Sequence, residues 1–158
     1  MKFNKAIKNL FIVLFSTLLI SACSTAKKSV DTVDDVYTGT DTVEFLAKGV
    51  PDRIFFATNK SKLTTASRDT LRKQATWMRK NKDMTITVEG HADERGTREY
   101  NLALGERRAN AAKDYLMTYG VSGKRISVIS YGKERPVNPA SSPLAWSQNR
   151  RSVTVKAN

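Results

Sequence analysis

The sequence predicts an α/β fold, a two-layer sandwich of order β-α-β-α-β-(α)-β with its helices packed on one sheet. Three observations predict it. Several short segments alternate apolar and polar residues at the two-residue period of a half-buried strand. Two long stretches between them repeat their apolar residues near the ~3.6-residue period of a helix facing a core. About 108 residues from Pro51 to the end are enough for one independent core.

The chain begins with Lys2, Lys5 and Lys8, followed by the apolar run LFIVLFSTLLI from Leu10 to Ile20. That run is short for a membrane span, which needs ~20 residues. With the small residues Ser21-Ala22 after it, the segment 1–22 reads as a secretory signal. Cys23, the sole cysteine, comes next, so no intrachain disulfide can form. Residues 24–50 are rich in Ser, Thr, Asp, Lys and Gly and carry no sustained apolar period. Segment 23–50 therefore reads as the cysteine followed by a flexible tether, with Val43-Glu44-Phe45-Leu46 suggesting a short helical turn. Fully extended at ~3.3 Å per residue, the tether would reach on the order of 90 Å.

From Pro51 the globular segment 51–158 opens with the strand Arg53-Ile54-Phe55-Phe56. A helix capped by Thr64 or Thr65 follows, running to about Asn81, with Leu71, Ala75 and Met78 turned inward. Residues 84–89 form a second strand with Met84, Ile86 and Val88 on one face. The turn Gly90-His91-Ala92-Asp93-Glu94-Arg95-Gly96 leads into a helix over 100–119, stopped by Gly120. Residues 125–131 alternate as a third strand, and 133–142 hold two of the four prolines and form a loop. Ser142-Pro143 starts a short helix through Gln148, with serine as cap and proline in the first helical position. Residues 152–156 are the last strand.

The second helix carries an anomaly. Leu104, Ala111, Ala112, Tyr115 and Tyr119 fall on one stripe, and Arg108 falls in its middle. A charge on a core-facing stripe needs a partner, and Asp93, then Glu94, are the nearest candidates in the preceding turn. The pair reads in two ways. It closes as a structural salt bridge, or it brackets a small zwitterion, with Asp93 taking an ammonium and Arg108 gripping a carboxylate.

Other chemistries find little support. One His and one Cys far apart do not make a metal site, and His91 reads as a hydrogen-bonding turn residue. No stretch suggests a cofactor box. A hydrolase using Glu89, Asp93 or Glu94 is the enzymatic alternative, but no Ser/His or Cys/His nucleophile pattern accompanies it. Lys and Arg number 27 against 15 Asp and Glu; without the three leader lysines the excess is nine. The charge reads as scattered and without basic–aromatic alternation, so nucleic acid is not implied.

The stretch VEGHADERGTREYNLALGERRANA resembles the signature of the outer membrane protein A-like domain family, and more narrowly that of its peptidoglycan-associated lipoprotein branch. The likeness continues in Ile129-Ser130-Tyr131-Gly132-Lys133-Glu134-Arg135-Pro136 and in Gln148-Asn149-Arg150-Arg151-Ser152-Val153, covering about the last two thirds of the chain. What it implies is a non-enzymatic anchor without cofactor that binds peptidoglycan through uncross-linked meso-diaminopimelate, a zwitterionic end. Asp93 then matches the ammonium-binding aspartate and Arg108 the carboxylate-binding arginine. Asn101 and Leu102 match the Asn-Leu that opens the helix, Thr97 the turn threonine, and Phe56 and Ala57 the segment giving backbone contacts. TolB and TolA of the Tol–Pal system are the implied protein partners. Two positions depart from the family: Thr58-Asn59 stands where an aromatic–acidic pair is usual, and Arg98 where close relatives often have Pro. A flagellar-stator-like relative shares the domain type but needs an acid in its membrane span, and residues 1–22 contain none.

Ile20-Ser21-Ala22-Cys23 also resembles the bacterial lipobox, whose cysteine becomes a lipid-modified N-terminus. Several acyl chains anchor stably where one is marginal, and Ser24 after the cysteine favours the outer membrane, with the domain facing the periplasm. Cys23→Ser should therefore abolish incorporation of a labelled fatty acid and release the domain or leave an uncleaved precursor. Continued labelling of that variant would refute the assignment.

Overall fold

The computed structural model describes residues 35–157, so the leader and Cys23 lie outside the described residues. A hairpin of β1 (Phe45–Ala47) and β2 (Val50–Pro51) precedes the predicted order. Then come β3 (Arg53–Phe55), α1 (Thr65–Lys80), β4 (Thr85–His91) and α2 (Arg98–Thr118). β5 (Ile126–Gly132), α3 (Pro143–Asn149) and β6 (Arg151–Ala157) complete it. The four long-range strands form one sheet in the order β3-β6-β4-β5. The β4–β5 pair is parallel, joined by the α2 crossover, and β6 lies antiparallel to both β3 and β4.

Each helix starts where a side chain can satisfy a free backbone N–H. Thr64, Thr97 and Ser142 each accept such a bond, from Ser67, Tyr100 and Ala145. Thr64, not Thr65, is thus the first cap, and Pro143 takes the initial helical position as expected.

The core lies between sheet and helices. Ile54, Phe56, Ile86, Val88 and Ile126 meet Leu71, Ala75 and Met78 from α1, and Ala109, Ala112 and Leu116 from α2. The inward stripe of α2 is turned slightly from the predicted one: Ala109 and Leu116 are buried, whereas Tyr119 is exposed. Positive charge is also less scattered than expected. Residues 60–82 carry eight Lys and Arg against Asp69 alone, concentrating cations on and around α1.

The N-terminal stretch departs further from the sequence reading. Instead of a helical turn, 45–51 form a hairpin closed by Lys48-Gly49, with Gly49 at φ 75°, a backbone region that L-residues with a Cβ rarely adopt. Leu46 is buried, Asp52 accepts the Glu44 N–H at 3.1 Å, and Tyr37 sets its ring edge against Phe55 at 4.8 Å. Residues 35–50 are therefore joined to the domain, and the tether reading does not hold for them. Sparse apolar residues concealed this, because Leu46 and Tyr37 reach the sheet singly rather than through a periodic face.

Helix α2 touches β4 backbone to backbone. A Cβ on Gly90 would stand 1.8 Å from the Gly105 carbonyl oxygen, and one on Gly105 would stand 2.3 Å from Ser130 Oγ. Ser130 Oγ also donates to the Leu102 carbonyl at 2.7 Å, fastening the same contact to β5. Gly90→Ala should thus force the layers apart and cost about 3 kcal/mol, the upper range of overpacking. Gly49→Ala meets no atom within 4 Å and faces backbone strain alone, about 1–2 kcal/mol. Urea denaturation midpoints of both variants check this, and equal shifts would sink the distinction.

Candidate functional site

Strand β4 ends at His91, and the chain turns through Asp93 before α2 begins. Asp93 is buried, yet ringed by cations. Its Oδ1 accepts the Arg95 backbone N–H at 3.1 Å and Arg95 Nε at 3.0 Å; its Oδ2 accepts Arg95 Nη2 at 2.7 Å and Arg150 Nη1 at 3.4 Å. Burial opposes the charge on this carboxylate, but the Arg95 hydrogen bonds and the Arg150 contact outweigh it and hold Asp93 below the usual carboxylate range.

Arg108 sits on the inward face of α2, as predicted, with 0% of its surface exposed. Its partners are not carboxylates. Nε donates to the Lys60 carbonyl at 2.9 Å, Nη1 to His91 at 2.8 Å and Nη2 to Ala57 at 3.1 Å. Among the described residues Arg108 makes no ion pair, so the expected Asp93–Arg108 salt bridge is replaced by three backbone dipoles. Burial, then repulsion from Arg150, pushes its pKa down to about 10, which still leaves it charged at neutral pH. The Phe56 ring lies 5.2 Å from the guanidinium carbon. Three of the five N–H donors of a guanidinium are spent in this way.

The other predicted residues are brought to the same place, mostly as scaffold. Phe56 is fully buried, donates its N–H to the Arg150 carbonyl at 2.9 Å and accepts Arg150 Nε at 3.0 Å. Asn101 Nδ2 donates to the Arg95 carbonyl at 2.9 Å, holding the turn over the helix start. Thr97 caps α2, and Leu102 packs its backbone N against Gly132, where a Cβ would be 3.0 Å away. His91 closes a strand instead of sitting in the turn. Its ring nitrogens have no hydrogen-bond partner among the described residues, and burial with nearby Arg151, Arg135 and Arg53 lowers its pKa to about 3. It stays neutral.

Arg95, Arg150, Trp146 and Asp35 complete the site, and none was singled out for a role from the sequence. Arg95 stacks on the Trp146 ring at 4.3 Å, and Trp146 Nε1 donates to Glu94 Oε1 at 2.8 Å. Asp35 accepts the Thr58 N–H at 2.8 Å and pairs with Arg150 Nη2 at 2.9 Å. A cavity of about 490 Å³ opens here, lined by residues 35–39, Arg95, Arg150 and the α3 side chains Pro143, Leu144, Trp146 and Ser147. Arg95 lay within the quoted signature stretch and Arg150 within the quoted Asn149-Arg150-Arg151; Arg150 lies between helix and strand, where no periodicity marks a residue as inward.

The arrangement offers one buried anion and several cations to a ligand bearing both signs. It does not suit acid–base chemistry. Trp146 and Ser141 hydrogen bonds hold Glu94 ionised as well, so neither turn carboxylate keeps the proton a general acid must give. Glu89 pairs across the sheet with Val153 and Ile129, the register facing away from the helices. Among the described residues no group of three metal-ligating side chains occurs, and no helix is long and apolar enough to cross a membrane.

Comparison with known proteins bears on the same residues. A model of the OmpA family matches residues 55–150. The peptidoglycan-associated lipoprotein of Brucella melitensis biotype 1 is 44% identical over 149 residues, which span 91% of this chain and 89% of that protein. The protein of the same name from Mesorhizobium japonicum is 45% identical over 91% of this chain and 89% of its own. Among solved structures, the peptidoglycan-associated lipoprotein of Burkholderia pseudomallei superposes with a TM-score of 0.66 at 33% identity, covering 67% of this chain and 90% of that one. The C-terminal domain of Helicobacter pylori MotB shares the fold, with a TM-score of 0.63 at 23% identity over 68% of this chain and 84% of that one.

The charge cluster gives the fold a pH signature. The folded pKa of Asp93 is depressed, so its contribution to stability is complete above the unfolded value of ~3.9 and is lost as pH falls through the lower folded value. Thermal melts should show an extra loss below about pH 4 that Asp93→Ala lacks. At pH 7 that variant should be less stable by on the order of 3 kcal/mol, because Arg150 stays buried without this partner. Parallel pH profiles for both proteins would count against the role.

Proposed function

The chain belongs to the OmpA family and, within it, to the peptidoglycan-associated lipoproteins, and from that premise we propose that it is a non-enzymatic anchor binding the peptide stem of peptidoglycan. The observation that carries the reading is Asp93: a buried, ionised carboxylate beside a cavity, neutralised in the free protein by the half-exposed side chain of Arg95. The free end of meso-diaminopimelate has an ammonium and a carboxylate on one carbon. Its ammonium replaces the Arg95 guanidinium on Asp93, exchanging charge-assisted bonds from one cation for those from another. Its carboxylate goes to the two donors Arg108 has left, once the carbonyls of Ala57 and Lys60 give way to it. Arg108 is fully enclosed, so this loop must move for the grip to form. Arg150 supplies further positive potential from the cavity wall.

In this reading Phe56, Thr97, Asn101 and Leu102 act by holding the two charges at a fixed separation, and Ala57 acts through its backbone in the loop that moves. Lipid on Cys23 ties the domain to the outer membrane, its binding face toward the periplasm. TolB and TolA are the protein partners that complete a Tol–Pal role in envelope integrity and division.

Calorimetric titration with a diaminopimelate-containing stem peptide tests the site. Asp93→Asn and Arg108→Leu should each weaken binding tenfold or more, since each removes a charge-assisted contact of about 1.5–3 kcal/mol. Arg107→Leu, an exposed neighbour on α2, should bind like wild type. Loss with Arg107→Leu and none with Arg108→Leu would mean the wrong arginine had been assigned.

A further inference from the structure

The cations that hold Asp93 also hold a second carboxylate, and it belongs to the chain itself. Asp35 Oδ1 accepts the Thr58 backbone N–H at 2.8 Å, and Oδ2 accepts the Thr58 hydroxyl and pairs with Arg150 Nη2 at 2.9 Å. The Asp35 carbonyl takes another Arg150 N–H. Thr58 Oγ1 in turn receives Arg95 Nη2 at 3.3 Å. Arg95, Arg150 and Thr58 thus form one donor cluster serving Asp93 from one side and Asp35 from the other. Past Asp35, residues 36–39 run on as a wall of the 490 Å³ cavity opposite α3.

This contact is built to exchange. The Asp35 side chain is 52% exposed whereas that of Arg150 is 3% exposed, so the acid re-enters water easily and the arginine does not. Exposed partners in an ion pair contribute little net stability, while a buried guanidinium strongly favours some anion beside it. The acid also stands on Thr58, whose backbone N–H and hydroxyl both donate to it. A site that attracts a carboxylate is therefore already supplied with one.

We infer that residues 35–39 are an intramolecular competitor for the wall ligand, with the Asp35 carboxylate neutralising the Arg150 potential that draws a ligand carboxylate in and residues 36–39 occupying the cavity wall beside it. The inference rests on the proposed wall-binding reading and adds a resident occupant to that site. The competition is local: it works through contact with Thr58 and Arg150 and through the space that residues 36–39 fill.

The test uses the full chain in detergent micelles, titrated with a synthetic stem tripeptide ending in free meso-diaminopimelate. Asp35→Asn should tighten binding about fivefold, the effect of losing one modest ion pair. Asp114→Asn, which makes the same charge change on the exposed side of α2, should leave affinity unchanged. Saturating tripeptide should also speed amide exchange at residues 36–39 in wild type. Equal or weaker binding by Asp35→Asn overturns the competition, as does a gain matched by Asp114→Asn or slower exchange at 36–39. If wild type and both variants all fail to bind the tripeptide, the wall-binding reading falls and takes this inference with it.

Discussion

A guanidinium shut away from water must find oxygen atoms, and the way Arg108 finds them organises everything around the site. Its three bonds reach Ala57 and Lys60, in the loop between β3 and α1, and His91, at the end of β4. Helix α2 is thereby tied to both strand ends it passes. In the free protein the three inward-facing carbonyls offset the cost of desolvating the charge, and the loop, strand end and helix hold one another in place. Arg150 repeats the device one step outward, using the Phe56 carbonyl and two carboxylates. Two buried cations side by side repel, which is why Asp93 cannot be spared.

The regular part of this arrangement was legible in the sequence. The alternation through Ile86 and Val88, the cap at Ser142-Pro143, and the inward direction of Arg108 all follow from local periods and hydrogen-bond needs. These features depend on residues within one turn or one strand of each other. The partner of Arg108 was not legible, because backbone carbonyls have no residue type and leave no trace in composition. Charge matching from sequence therefore selected Asp93, the nearest acid. Arg95 escaped notice for a different reason: it folds back on its own turn, two residues from the group it neutralises. Arg150 and Asp35 meet across 115 positions, in segments without regular period.

The opposite face of the sheet follows other rules. There Arg53, Arg151 and His91 gather near Glu89 and Asp52, and Arg135 lies 3.7 Å over the Tyr131 ring. Arg53 is paired with Asp52 at 2.7 Å and Arg151 bonds to carbonyls, so His91 is the group left to surrender its charge. A neutral imidazole among three arginines is the low-energy solution, and it keeps the end of β4 free of a further cation behind Asp93.

The position of β4 within the sheet has a mechanical consequence. It is an interior strand, bonded along one flank to β5 and along the other to β6, with Gly90 pressed against the Gly105 backbone above. A pull on the turn after His91, directed along the strand, loads both ladders in shear, so their hydrogen bonds share the force and have to yield together. At an edge strand the same pull would reach a single ladder, which can open one bond at a time. If the turn after His91 carries the grip proposed above, that grip is mounted on the strand best supported against extraction.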